Sequence, residues 1–399
     1  MKKTNMGTQS IWAGEKDSLA FGATQVPVVH SVSYGYDNLD EWYDVVTGKV
    51  SAHVYGRYTN PTLDAFEEKI RILEDAEAAT SFSTGMAAIS NSLAALLTPG
   101  DRVVSIKDTY GGTNKIFSEY LPRQHVDVVL CETGNHEEIE KEVDKGCQVL
   151  YLETPTNPTV KITDLERMVR KAREVGAIVI VDNTFATPIN QKPLHFGVDL
   201  VIHSATKFLG GHADALGGAV CGRKDLVESI FHYREVNGAV LDPMSAYFLL
   251  RGMKTLQIRI EKQQENAMKV ADYLRSVDVV EDVLYPGFKD HPGHEIAKKQ
   301  MNGFGSMLAF SVKGGIETVR HLIPKLKYAH RAANLGSVET VVGPARTTSH
   351  ISCTEEDLAE LGIPESLIRY SAGIEDADDL IADLQQAFDA LPEHLYTTK

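Results

Sequence analysis

Five short apolar runs, separated by helical patterns, constrain this chain more than any other feature. They are Val103–Ile106, Val126–Leu130, Val149–Leu152, Ala177–Val181 and Leu200–Ile202. Each is short enough to be a strand, and none shows the strict apolar–polar alternation of a strand with one wet face. Helical patterns at Ala65–Glu74, Met86–Leu97 (ended by Pro99-Gly100) and Leu165–Val175 lie around and between them. Strand and helix in alternation predict an α/β fold, a parallel sheet covered by helices on both faces. A long helical pattern from Ser245 through Leu274 then leads to a smaller α+β region, with a strand at Met307–Val312 and a helix at Ala377–Leu391. Residues 1 to about 60 are irregular and rich in Tyr, Gly, Ser and Asn. Such a segment has little core of its own and needs another surface, such as a second subunit, to order it. The expected division is an arm over 1–60, a large domain over 61–254 and a small C-terminal domain over 255–399.

Composition narrows the function. The chain's 399 residues are 43% apolar and 24% charged, ordinary values for a water-soluble globular protein. A net charge of −15 without any polybasic run argues against a nucleic-acid partner. No run approaches the ~20 apolar residues of a membrane span, and Met1-Lys2-Lys3 has no apolar segment behind it. Cys131, Cys147, Cys221 and Cys353 lie far apart with no CxxC pair, so a disulfide-free cytoplasmic protein is expected. Proline and glycine separate His291 from His294, and Gly303-Phe304-Gly305 precedes a strand. Neither a metal site nor a dinucleotide fingerprint is expected there.

Ligands of an open parallel sheet bind beyond the carboxyl ends of its strands, so the residues there carry the chemistry. Leu200-Val201-Ile202 breaks into His203-Ser204-Ala205-Thr206-Lys207, followed by Gly210-Gly211. A lysine delivered by a buried strand among hydroxyls suits covalent work on a carbonyl. Asp182 ends the run before it, 25 residues upstream by sequence number. It reads as a helix cap or as the carboxylate that keeps a pyridine nitrogen protonated. Ser83-Thr84-Gly85-Met86 opens a helix where backbone amides face an anion, Thr84 doubling as N-cap. Tyr110, in Asp108-Thr109-Tyr110-Gly111-Gly112-Thr113, follows the Val103 run and could stack on a ring. Together these residues suit a pyridoxal phosphate site.

The same residues resemble the Cys/Met-metabolism group of fold-type I pyridoxal-phosphate enzymes. Seven blocks carry the resemblance in order: Tyr55–Thr62, Ser83–Met86, Asp108–Thr113, Glu153–Pro158, Val181–Phe185, His203–Lys207 and Ile368–Glu375. The resemblance implies a mostly parallel seven-stranded sheet in the large domain and a small C-terminal α+β domain. It implies that Lys207 carries the cofactor covalently and then shuttles protons, and that Asp182 holds the pyridine nitrogen. Tyr110 is implied to stack on the ring and assist near the leaving group. Gly85, Met86, Ser204 and Thr206 are implied to bind the phosphate, with Tyr55 and Arg57 donated by a neighbouring subunit. Tyr55 is also expected at the catalytic centre and the substrate, Arg369 on the substrate α-carboxylate and Asn334 at the substrate. An obligate dimer follows from the shared site, or a homotetramer built as a dimer of catalytic dimers.

Subfamily marks disagree. Gly112 stands where methionine γ-lyases usually carry cysteine, as in the cystathionine enzymes. Ala333 replaces a glutamate that would face a distal ammonium, which weakens cystathionine as substrate. Asn334 replaces a serine, as in O-acetylhomoserine sulfhydrylases. Arg346 is either a pocket residue or a solvent-facing loop arginine. Arg234-Glu235 falls where methionine γ-lyases carry a Lys-Asp pair. The expected activity is γ-elimination from a γ-substituted L-amino acid, methionine γ-lyase-like, releasing an α-keto acid and ammonia. The alternatives are O-acetylhomoserine sulfhydrylation, cystathionine cleavage or synthesis, a lyase for an unusual substrate such as canavanine, and a pyridoxal-binding scaffold without turnover.

Overall fold

The computed structural model describes residues 4–348, 358 and 361–397. Cys353 lies outside the described residues, as do Ser349 and His350, which follow Arg346-Thr347-Thr348 in the sequence. Seven strands form the larger sheet: β1 (Ala78–Phe82), β2 (Arg102–Ile106), β3 (Asp127–Cys131), β4 (Val149–Glu153), β5 (Ile178–Asp182), β6 (Leu200–Ser204) and β7 (Gly218–Gly222). Their order is β1-β7-β6-β5-β4-β2-β3, parallel except for β7, which runs antiparallel to both β1 and β6. The five apolar runs are the five consecutive parallel strands. Their two faces feed separate cores, one around Phe82, Leu93, Tyr151 and Ile202, the other around Val104, Leu152, Met168 and Val201.

Local sequence sets the helices that cover this sheet. Pro61 opens Pro61–Glu74, the Asn60 side chain accepts from Thr62 N at 2.9 Å, and Asp75 ends the helix in the left-handed conformation. Asp164 caps Leu165–Val175, and Gly176 closes it at φ 75°. The pattern from Ser245 to Leu274 is two helices, not one. Pro243–Met253 and Leu256–Arg275 are interrupted at Lys254 and Thr255.

A second sheet has the order β10-β11-β12-β9-β8, with β8 (Val280–Leu284), β9 (Met307–Val312), β10 (His330–Arg331), β11 (Val341–Pro344) and β12 (Ile368–Ser371). It is antiparallel apart from the β10–β11 pair. The helices Leu256–Arg275 and Ala377–Asp389 pack on it through Val270, Leu274, Leu380 and Leu384. Among the described residues no helix is long and apolar enough to cross a membrane.

The first 60 residues are less irregular than expected. Met6–Trp12 and Leu39–Val46 are helices. The first is anchored by Lys69, whose buried ammonium donates to Ser10 O at 2.8 Å and Ile11 O at 3.1 Å and pairs with Glu15 at 2.6 Å. Those carbonyls belong to the open last turn of the helix, so the cation satisfies them from 58 to 59 residues away. The Leu39–Val46 helix leaves Leu39, Trp42, Tyr43 and Val46 exposed on the single chain.

Candidate active site

Glu153, Asp182 and Ser204 are the last residues of β4, β5 and β6, three adjacent strands ending on one edge of the sheet. β1 reaches the same edge and turns at Thr84 into the helix Gly85–Leu96. The Thr84 hydroxyl accepts from Ala87 N at 3.0 Å, which leaves the earlier amides of that helix outside its intrahelical bonding. These elements line one cavity that holds Gly85, Met86, Tyr110, Asp182, Ser204, Thr206, Lys207 and Arg369.

Lys207 lies in the turn after β6, its amide donating to Ser204 O at 3.1 Å. Behind it Arg259, on the Leu256–Arg275 helix, donates to the carbonyls of Phe208 at 2.8 Å and Leu209 at 3.2 Å. A Cβ at Gly211, where φ is 71°, would stand 2.1 Å from that guanidinium, so the second glycine of the pair is required. Burial lowers Arg259 to about 10. The Lys207 amine donates to Asn334 Oδ1 at 2.8 Å, and burial, with Arg369 nearby, pushes its pKa down to about 8.

Arg369 sits on β12 inside the smaller sheet, 5% exposed, between Gly343 and Ala309. It reaches out of that sheet, donating to Asn157 Oδ1 at 3.2 Å and to Asn334 O at 2.9 Å. Burial holds even this arginine down at about 10. Asp182 and Glu153 are register partners on neighbouring strands, and both are buried. Desolvation raises both carboxyls. Asp182 adds a repulsive push on Glu153, while the Thr184 hydrogen bonds and His203 hold Asp182 back. The Asp182 Oδ1 accepts from Thr184 N at 3.0 Å, and the Thr184 hydroxyl accepts from Ser204 N at 2.9 Å. Behind them His203 Nε2 lies 2.5 Å from Glu74 Oε1 in the core.

Gly85 and Ser204 form a cradle: a Cβ at Gly85 would lie 2.7 Å from the Ser204 Cβ, so only glycine keeps that space open. A phosphate fits it, with helix amides and the Ser204 side on one hand and the Thr206 side on the other. Thr206 Oγ1 accepts from Gly217 N at 3.0 Å, which fixes its position. The half-exposed Tyr110 ring, 41% open, borders the same space as Asp182 and Lys207. An anion cradle, a buried carboxylate, an aromatic wall and a lysine of lowered pKa are the four groups that pyridoxal phosphate requires.

Some expected residues stand elsewhere. Tyr55 and Arg57 do not line the cavity of their own chain. The Arg57 guanidinium lies over the rings of Tyr55 at 5.5 Å and Tyr58 at 4.8 Å and bonds to the Glu235 carbonyl. Arg234 is a core residue, donating to Ser81 O at 2.9 Å, Tyr58 O at 2.6 Å and Glu67 at 3.1 Å. Arg346 pairs with Glu365 at 3.5 Å and is absent from the cavity wall. His291 and His294 serve backbone groups, Nδ1 of each bonding Gly293 N at 3.0 Å and Pro286 O at 2.9 Å. Sequence reasoning missed any role for Glu153, Thr184 and Arg259. Glu153 had a readable signal, since it closes an apolar run as Asp182 does.

Fold and site together define a pyridoxal-phosphate-dependent enzyme of fold type I. The model of the Cys/Met metabolism PLP-dependent enzymes matches residues 7–389, and the chain belongs to that family. An L-methionine gamma-lyase of Fusobacterium nucleatum subsp. nucleatum is 41% identical over 394 residues, covering 98% of this chain and 100% of that protein. A cystathionine gamma-lyase of Bacillus subtilis is 42% identical over 390 residues, with 97% and 99% covered. The crystal structure of a cystathionine gamma synthase from Xanthomonas oryzae pv. oryzae, in complex with cystathionine, superposes with a TM-score of 0.92 at 35% identity, covering 97% of this chain and 98% of that one.

Proposed function

We propose that the chain is a lyase that removes the γ-substituent of an L-amino acid, with methionine-like thioethers as the favoured substrates. One observation carries the reading: Asn334 joins the amine of Lys207 to the buried fork of Arg369. A base and a carboxylate-binding cation are thereby held a fixed distance apart, as chemistry on the α-carbon of an amino acid demands. Pyridoxal phosphate, held there, would supply a carbonyl for the substrate amine and an electron sink for Cα. Arg369 binds the α-carboxylate, and Asp182 holds the ring nitrogen. Gly85, Met86, Ser204 and Thr206 hold the phosphate. Lys207, about half neutral at pH 8, takes the proton from Cα and, once it has handed that proton on, takes a second from Cβ. Tyr110 stands beside the departing group. The balance for methionine is one water consumed, with methanethiol, 2-oxobutanoate and ammonia released.

The wall beyond Lys207 supports an apolar γ-substituent. Phe185, Leu216, Ala333 and Leu335 line it, and position 333 supplies no carboxylate for a distal ammonium. Replacement at Cγ, with sulfide attacking an O-acylhomoserine, is the second reading, supported by asparagine at 334. The exposed arm side chains Leu39, Trp42 and Tyr43, and the position of Tyr55 and Arg57 outside their own cavity, support a site shared between subunits, in a catalytic dimer or a homotetramer of such dimers; a cytoplasmic location belongs to the same proposal. The arm, large domain and small domain then divide at 60 and 254.

The test is a substrate panel of methionine, cystathionine, homocysteine, canavanine and O-acylhomoserines, with keto acid and ammonia measured with and without sulfide. Methionine is expected to give a four-carbon keto acid without sulfide. Homocysteine formed from an O-acylhomoserine with sulfide, without keto acid or ammonia, would move the assignment to replacement, and three-carbon pyruvate from cystathionine would contradict attack at Cγ.

A further inference from the structure

Glu153 is an expensive residue to place where it stands. It is 5% exposed and sits in register beside Asp182, a second buried carboxylate. Its partners are not cations. Oε2 accepts from the backbone N–H of Tyr110 at 2.8 Å and Oε1 from that of Asn157 at 3.2 Å. Both oxygens therefore face donors. A glutamine would fill the same volume but would turn its NH₂ toward one of the two N–H groups. A protonated carboxyl would have to point its proton away from both amides. The geometry calls for two acceptors, which suits a carboxyl group and not an amide; burial and the Asp182 charge push its pKa up, and the two amides pull it back.

The two amides belong to loops that carry groups of the site. Tyr110 immediately precedes the short helix Gly111–Lys115, and no side chain caps that helix at Tyr110. Its ring faces the cavity. Asn157 accepts from Arg369 Nη1 at 3.2 Å, Arg369 Nη2 reaches Asn334 O at 2.9 Å, and Asn334 Oδ1 receives Lys207 at 2.8 Å. The path from Glu153 to Lys207 thus crosses from the larger sheet to the smaller one and back.

We infer that Glu153 is a positioning residue: one oxygen fixes the Tyr110 ring and the other fixes the Asn157–Arg369 carboxylate clamp, so that ring wall and clamp are set by one side chain. The inference rests on the proposed function, in which Tyr110 and Arg369 face the substrate. Charge alone does not explain the arrangement, because Asp182 already supplies the carboxylate for the ring nitrogen. What Glu153 adds is reach to two loops.

The test uses the purified holoenzyme as wild type, Glu153→Gln and Glu153→Asp. Glu153→Gln keeps the length and loses one acceptor; Glu153→Asp keeps the charge and, one methylene shorter, cannot span both loops. Each is expected to raise KM about tenfold and to lower kcat several-fold. Each should also weaken the visible circular dichroism of the bound cofactor, which reports the asymmetry of the ring's surroundings. A crystal structure of Glu153→Gln apoenzyme should show the Asn157 amide and the Arg369 fork displaced. Unchanged KM, kcat and dichroism in both variants overturn the inference, as does Glu153→Asp behaving as wild type while Glu153→Gln does not, which would assign the effect to charge. Should the variants fail to fold, a crystal structure of the wild type decides: Tyr110 N or Asn157 N beyond ~3.5 Å of Glu153 overturns it. Colourless or inactive wild-type protein counts instead against the functional reading itself.

Discussion

Lys207 and Asn334 are joined by a 2.8 Å hydrogen bond in which the amine donates and the side-chain carbonyl accepts. The acceptor favours the ammonium form, against the burial and the Arg369 charge that favour the neutral one. The base therefore rests at a compromise, and Asn334 is part of what sets it. Removing the acceptor should lower the amine's pKa further, since a carbonyl oxygen favours the ammonium. Asn334→Ala should accordingly move the acidic limb of the kcat–pH profile to lower pH and reduce kcat by roughly 10–100-fold, the range for a lost hydrogen bond to a charged group. A limb that stays in place while kcat falls would leave Asn334 a packing residue.

Cofactor loading should follow the same amine. Only the neutral form attacks a carbonyl, and with a pKa of about 8 roughly 10% of it is neutral at pH 7. An ordinary lysine near ~10.4 would be neutral to less than ~0.1%. Stopped-flow uptake of pyridoxal phosphate by apoenzyme should rise with pH and level off just above pH 8. A rate still climbing toward pH 10 would contradict the lowered value.

Gly112 is packed too closely to accept the cysteine usual in methionine γ-lyases. A Cβ there would lie 2.8 Å from Met86 Sδ and 2.9 Å from the edge of the Tyr110 ring. Met86 can swing aside, but the ring borders the site. Gly112→Cys should therefore lower kcat/KM for methionine, by about tenfold, instead of raising it. Improved methionine turnover would show that the ring has room to move.

Subunit sharing predicts complementation. Arg57→Ala should lose pyridoxal phosphate affinity although Arg57 stands outside its own chain's cavity. Co-refolded Arg57→Ala and Lys207→Ala chains should recover about a quarter of wild-type activity, since half the dimers are mixed and each mixed dimer has one intact site. No recovery would place each site within a single chain.

The sheet was legible where strands are apolar on both faces, which is why β2 to β6 stand out in the sequence. β1 and β7 did not, because Ala78-Ala79-Thr80 and Gly218-Ala219 are small, low-propensity residues. They are there for clearance: a Cβ at Gly218 would lie 2.2 Å from Thr84 O, at the turn into the phosphate-facing helix. The arm helix Met6–Trp12 escaped notice because its last carbonyls are satisfied by Lys69, a contact that no local window contains. Within the site, Lys207, Asp182, Tyr110 and Gly85 were legible from strand ends and Gly-rich turns. Asn334 was read as a substrate ligand; its bonds to both Lys207 and Arg369 come from the approach of the two sheets. Arg234 was read only by its position, with Glu235, where methionine γ-lyases carry a Lys-Asp pair, yet it is 1% exposed and bound to Tyr58 and Ser81. Charge pattern alone does not reveal burial of that kind.

The most direct measurement is the stoichiometry of products from L-methionine with wild-type and Lys207→Ala protein. The wild type, yellow as purified, should release methanethiol, 2-oxobutanoate and ammonia in equal amounts. Lys207→Ala should lose the covalent colour and at least ~10³-fold of the rate. Equal turnover by the two proteins, or a colourless wild type, would contradict the account.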